Sequence, residues 1–231
     1  MIDWGWIGDH LVAIAGRVGQ HIEFAAIALA IGFVISLGLA ILSVRVRPVQ
    51  PVVVGAAGVI FTIPSLALFS ALVPTVGLSL LTVEIPLVLY TLVIYVRNIV
   101  AGLDSVPADV IEAADAMGYT RNDRLLRVEL PIAVPLMIAG LRLASVSTIG
   151  LVTISGTLGQ AFGGLGFFIF DRPTFPTEIL VGAVGSIALA IAADVLFGRI
   201  QRRLTPWSRT NIELHMATTG RSGAQGMAAI R

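Results

Sequence analysis

The chain has 231 residues, 56% of them hydrophobic and 13% charged, where a soluble domain carries about 25% charged residues; with a mean hydropathy of +0.93 it is an integral membrane protein. There is no cysteine, which excludes a disulfide framework and a thiolate metal site, and His10, His21 and His215 are too scattered for a metal cluster. All fifteen cationic side chains are arginine, so the chain holds no phosphate-cradling Walker A loop, which requires lysine, and is not itself an ATPase.

A hydrocarbon core about 30 Å thick takes roughly 20 apolar residues per helix. Residues 1–22, with Asp3, Asp9, His10 and Arg17, read as an amphipathic lead-in; they lack the basic start and small-residue cleavage site of a signal peptide. Five apolar segments then qualify as spans: 24–42, 52–72, 78–96, 132–155 and 179–198. Trp4, Trp6 and Phe24 near the first span and Trp207 after the last suit interfacial anchoring. The stretch 156–176 is glycine-rich and aromatic, with Asp171, Arg172, Pro173 and Pro176 at its end. It reads as a re-entrant or interfacial segment rather than a sixth span. The chain divides into the lead-in, a membrane domain over 23–205, and a tail over 206–231 whose composition predicts disorder.

The arginines are distributed unequally. Arg45 and Arg47 lie in the first connector, Arg97 ends the third span, Arg121, Arg124 and Arg127 lie in the 97–131 loop, and Arg199, Arg202, Arg203 and Arg209 follow the last span, leaving Arg17 and Arg172 on the other side. The positive-inside rule then predicts an extracytoplasmic N-terminus, a cytoplasmic C-terminus and a cytoplasmic 97–131 loop.

Within that loop the residues predict two short helices around a turn. Asp104 or Ser105 is suited to cap the first, Pro107 to open it, and Asp109 and Glu112 to sit at its positive end. Gly118 ends it, and Thr120 with Asp123 three residues on starts the second. Ala113, Ala114 and Ala116 keep the first helix slim, while Met117 and Tyr119 add adaptable contact area.

The spacing Glu112-Ala113-Ala114, three residues, Gly118, nine residues, Val128, one residue, Leu130-Pro131 resembles the cytoplasmic coupling loop of bacterial ABC importer permeases. The likeness extends over about residues 24–200. Thr62-Ile63-Pro64-Ser65-Leu66-Ala67-Leu68, Leu89-Tyr90 through Arg97-Asn98, Gly140-Leu141-Arg142 to Gly150, and Gly163-Gly164-Leu165-Gly166 look like the subgroup that carries osmoprotectants: glycine betaine, carnitine, choline and proline. The resemblance implies an all-α polytopic protein of the bacterial plasma membrane, with about five transmembrane helices and a coupling loop between spans three and four. It further implies two permease subunits, identical or homologous, two ATPase subunits that bind ATP and Mg, an extracytoplasmic substrate-binding protein, and neither a cofactor in this chain nor a nucleic-acid partner. On that basis Glu112, Ala113, Ala114, Asp115, Met117, Gly118 and Tyr119 are expected to couple to the ATPase.

Pro64, Ser65, Glu84 and Tyr90 are the candidates for the translocation path. Pro64 and Pro86 interrupt their spans, and broken helices line substrate paths in transporters; prolines also occur in membrane helices without any role. Glu84 departs from the family pattern. An acid in a span is a functional candidate by default, so Glu84 either guides a quaternary ammonium, pairs with Arg142 or Arg172, or sits in water at the interface. Arg142, about 15 Å along a helix from Pro131, either snorkels to the cytoplasm or faces a subunit interface. Asp194 is expected to pair with Arg199 or another neighbour. Gly55, Gly58, Gly182 and Gly185 read as helix-packing positions. With 7% aromatic residues, an aromatic cage for a quaternary ammonium is assigned to the binding protein.

Rival readings are a permease for an amino acid or alkanesulfonate, an ion-coupled secondary carrier, and an intramembrane enzyme or scaffold. A carrier calls for paired midplane ionisable residues and an inverted repeat. An enzyme calls for a Ser/His/Asp set or a His-Glu-x-x-His element.

Overall fold

The structure is a computed structural model that describes residues 2–206. Trp207, Arg209, His215 and the predicted disorder of the tail lie outside the described residues.

Helix α1 (Trp4–Asp9) is capped by Asp3, whose Oδ1 accepts from the Trp6 N–H at 3.0 Å. Helix α2 then runs without interruption over Leu11–Arg45. The helix passes residue 22 without a break, so the lead-in from Leu11 onward is continuous with the first span. Trp6 is not a free anchor either. It stacks on His10 with centroids 4.2 Å apart and meets Phe168 and Phe175 edge-on at 6.0 and 5.7 Å.

The second span is broken. Helix α3 (Gln50–Thr62) and helix α4 (Ser65–Val76) meet at 90°. Pro64 has no N–H to donate and forces Ile63 out of the helical region, to ψ 127°. Helix α5 (Leu80–Asp104) passes through Pro86 unbroken and is the centre of the bundle, buried along most of its length between α2 and α8. Small residues permit that proximity: a methyl on Gly32 of α2 would meet the Thr91 hydroxyl at 1.9 Å. The core comprises Leu87, Tyr95, Val96 and Ile99 of α5 with Ala28 and Ala40 of α2 and Ala133, Ala144 and Val152 of α8.

Helices α6 (Ala108–Ala116) and α7 (Arg121–Arg124) form the loop. From α7 the chain continues through a π-helical turn (Leu125–Glu129) into α8 (Leu130–Ile154). The expected gap between the second loop helix and the fourth span is thus filled by one run, Arg121–Leu158. Pro131, near the start of α8, displaces the carbonyl four residues back, and the widened turn absorbs the mismatch, with the Leu130 N–H donating five residues back to Leu125 O.

Residues 155–175 form 3-10 turns at Ser155–Leu158 and Gly164–Gly166 and a short helix α9 (Phe167–Phe170), before α10 (Pro176–Leu204). This segment folds into a compact cap against α2, α8 and α10. The His21 ring, fully buried, holds it: Nδ1 accepts from the Leu165 N–H at 3.3 Å and Nε2 donates to Ile149 O at 3.0 Å. Arg17 donates to Gln160 O and lies 4.3 Å from the Phe167 ring centroid, and Gln20 donates to Ala161 O at 2.6 Å.

Among the described residues four helices are long and apolar enough to cross a membrane, and the bent α3–α4 pair, counted as one span, brings the number to five. Among the described residues there is no strand.

Candidate functional site

Two places in the fold gather the residues singled out in the sequence. The first is the loop between the third and fourth spans. Helix α6 turns Glu112, Ala113, Asp115 and Ala116 outward and buries Ala114. At its end the chain reverses at Gly118, where φ is +82°, a conformation that glycine adopts without the clash a Cβ brings. Met117 is 69% exposed beside it. Thr120 caps α7, its Oγ1 accepting from the Asp123 N–H at 3.2 Å. The first helix is capped differently from the expectation. Pro107 occupies the N-cap position with no side-chain bond, while Asp104 accepts from Arg47 at 2.7 Å and from Gln50 at 2.9 Å, and the Ser105 hydroxyl donates to Gly102 O at 2.7 Å. Asp104 is needed at the end of α5 to hold the first connector and is not free to reach α6.

The loop is braced from two sides. Arg124 donates to both oxygens of Asp115, at 2.6 and 2.7 Å, and through Nε to Glu129 at 2.7 Å. Arg45, the last residue of α2, donates to the side-chain Oδ1 of Asn122 at 2.5 Å. The residue spacing of the loop did not point to these partners; nine residues separate Arg124 from Asp115 across a turn.

The second place is the break in the second span. Phe61, Thr62, Ile63, Pro64, Ser65, Tyr90, Ser147 and Leu151 line a cavity of about 360 Å³. The Tyr90 hydroxyl donates to the Ile63 carbonyl, which the end of α3 leaves without a helical partner. The Tyr90 ring meets Phe61 edge-on at 5.7 Å. The structure thus brings Pro64, Ser65 and Tyr90 together and adds Phe61 and Ser147, which only the bend reveals. Pro86 creates no comparable opening.

Glu84 does not line this cavity. It is 5% exposed, and neither carboxylate oxygen has a partner among the described residues. Neither water at an interface nor pairing with Arg142 or Arg172 describes it: Arg172 faces Glu178 at 3.4 Å and Asp171 at 3.8 Å. Asp194 pairs with Arg142 rather than Arg199, because one face of α10 lies along α8. Of the four packing glycines, Gly182 and Gly185 abut Leu165 and Gly58 abuts Arg97, whereas Gly55 faces open space.

A helical bundle of this span count, with a helix break at a mostly apolar cavity and a braced helical knob between spans, has the architecture of a membrane transport subunit. The chain belongs to the family of binding-protein-dependent transport system inner membrane components, whose pattern matches residues 32–206. It is therefore a permease component of an ABC importer in the bacterial inner membrane and not an enzyme; ATP binding belongs to a separate ATPase. Among curated relatives, the osmoprotectant import permease protein OsmW of Salmonella typhimurium is 34% identical over 86% of this chain and 94% of its own length. The glycine betaine/carnitine/choline transport system permease protein OpuCB of Bacillus subtilis is 29% identical over 82% and 88%. The choline transport system permease protein OpuBD of Bacillus subtilis is 35% identical over 84% and 86%. Among solved structures, the MetNI methionine ABC transporter in an inward-facing conformation has a TM-score of 0.77 at 21% identity, covering 85% of this chain and 98% of that one. At that identity the likeness establishes the fold.

Proposed function

We propose that this permease imports an osmoprotectant, either a quaternary amine such as glycine betaine, choline or carnitine, or proline, by alternating access. One observation carries the coupling part of the reading: α6 is a slim, exposed, braced helix that ends at Gly118 and stands between the third and fourth spans. Glu112, Ala113, Asp115, Met117, Gly118 and Tyr119 present it to the ATPase, and Ala114, buried on its inner side, keeps the helix close to the bundle. ATP-driven closure of two ATPase subunits pushes two such knobs together, opens the path to the binding protein, and hydrolysis resets it. The complex in this reading holds two permeases, identical or homologous, two ATPases carrying ATP and Mg, and an extracytoplasmic binding protein.

The substrate class is supported by the names of the curated relatives and by the chemistry at the break. The path in this reading runs past Pro64, Ser65 and Tyr90, where the exposed Phe61 ring, held edge-on by Tyr90, offers an aromatic surface to a cation and hydroxyls offer weak polar contacts. No carboxylate lines that cavity, which suits brief, weak contact with a passing cation. The arginines gathered at the α6 end of the bundle support a cytoplasmic loop and C-terminus and an extracytoplasmic N-terminus.

The test is ATP-dependent uptake of radiolabelled glycine betaine, choline, carnitine and proline into vesicles holding the permease with its ATPase and binding protein. Saturable uptake of one of them is expected. ATPase stimulation by the binding protein with uptake of none would retain the importer and overturn the substrate class; uptake of methionine or another ordinary amino acid would install the alternative.

A further inference from the structure

The covalent connection from the α6 knob toward the fourth span runs through the turn Met117–Thr120, which backbone bonds from the Gly118 N–H to Asp115 O and the Tyr119 N–H to Ala114 O close and which contains Gly118 at φ +82°, the residue with the widest backbone freedom. A push on α6 transmitted through that turn alone would bend the chain there. A second connection bypasses the turn. Arg124 holds the carboxylate of Asp115, on the last turn of α6, by two bonds of 2.6 and 2.7 Å, and holds Glu129, at the base of α8, by a third of 2.7 Å.

The two ends of this bridge differ in kind. The Asp115 side chain is 52% exposed, that of Arg124 18%, and that of Glu129 8%. Glu129 is thus anchored inside the bundle, and Arg124 carries the connection outward. A guanidinium suits this role because its planar fork donates in two directions at fixed angles, which an ammonium does not. The segment it spans, Leu125–Glu129, is the π-helical turn. Such turns are rare and collect at functional places. The same side chain therefore spans both irregular elements of the loop, the glycine turn and the π turn.

We infer that the Asp115–Arg124–Glu129 bridge is the rigid link that makes the knob and the fourth span move as one body, with Arg124 as its positioning residue. The inference rests on the reading of α6 as the ATPase-facing helix. Loss of the bridge leaves the ATPase docked and cycling, but the push is dissipated in the Gly118 turn, so hydrolysis continues with little transport.

The experiment compares the assembled complex of wild type, Arg124→Lys and the double variant R124Q/E129Q, which removes the link without leaving Glu129 charged and unpaired. Uptake and binding-protein-stimulated ATP hydrolysis are measured in the same vesicles. The double variant is expected to lose about tenfold in uptake per ATP hydrolysed, and Arg124→Lys, which keeps charge but not the fork, to lose about two- to fivefold. A wild-type ratio in either assembled variant overturns the inference. If the double variant does not assemble, Arg124→Lys alone decides. Absence of ATP-driven uptake in the wild-type complex would instead count against the importer reading on which the inference rests.

Discussion

Arg142 of α8 and Asp194 of α10 meet through two parallel hydrogen bonds, Nε to Oδ1 at 2.9 Å and Nη2 to Oδ2 at 3.0 Å. Gln201 extends the contact, accepting from Arg142 at 3.3 Å and donating to Pro135 O at 3.1 Å. Charges in spanning helices persist where each satisfies the other. The side chains are 37% and 42% exposed, so the pair sits at the modest end of such interactions. Asp194→Ala is expected to cost about 1 kcal/mol, a drop of about 2–4 °C in thermal unfolding in detergent. R142L/D194L should recover most of it, because no charge is then stranded. Equal midpoints for the single and double variants would remove the pair from the contacts that join α8 to α10.

At Gly118 conformation and contact can be separated. A methyl there would meet nothing within 4 Å, so a side chain has space within the protein and the constraint is φ +82° itself. A β-branched residue pays about 1–2 kcal/mol in this region, whereas asparagine tolerates it better. Gly118→Val is expected to abolish uptake with membrane insertion intact, and Gly118→Asn to retain more activity. Equal loss in both would mean that the ATPase contact, not the backbone, requires glycine.

The Tyr90 hydroxyl is the partner of the Ile63 carbonyl at the helix break. Tyr90→Phe keeps the ring and its edge-on contact with Phe61 but leaves that carbonyl unpaired, at an expected cost of about 1–3 kcal/mol. The substitution should lower the unfolding midpoint while transport remains measurable; Tyr90→Ala should lose both. An unchanged midpoint for Tyr90→Phe would show that the bend stands without this bond.

In the cap over 155–175, a methyl on Gly166 would lie 1.9 Å from Thr153 O, whereas one on Gly150 would meet nothing within 4 Å. Gly166→Ala must displace backbone and is expected to cost about 3 kcal/mol or more, with poor recovery of folded protein. Gly150→Ala should be silent within about 0.5 kcal/mol. Size-exclusion profiles of the two variants in detergent check the contrast; matching profiles would mean the cap yields more readily than its packing indicates.

The number of spans and the course of the loop were legible because hydropathy and capping are local signals: the helix ending before Gly118 and the Thr120 cap appear where the residues place them. The fate of the two prolines was not. Pro64 and Pro86 read alike along the chain, yet only Pro64 breaks its span. The difference lies in neighbours: Tyr90 pairs with the carbonyl freed at the break, while α5 is gripped by α2 and α8 along its length. The choice of ion-pair partners was equally hidden. Asp194 has Arg199 one turn away in sequence but lies beside Arg142, fifty-two residues distant, and helix adjacency, not spacing, decided. His21, a lone histidine near the start of a span, carried no signal at all for its place under the cap.

Helix α2 is 35 residues long, about 52 Å, well over the thickness of the hydrocarbon core. It is fastened near one end by Arg17, Gln20 and His21 to the glycine-rich cap and at the other by Arg45 to Asn122. His21 and Arg45 are separated by about 36 Å of continuous helix. Held near both ends, α2 ties the glycine-rich cap to the loop that carries Asn122 in one continuous helix.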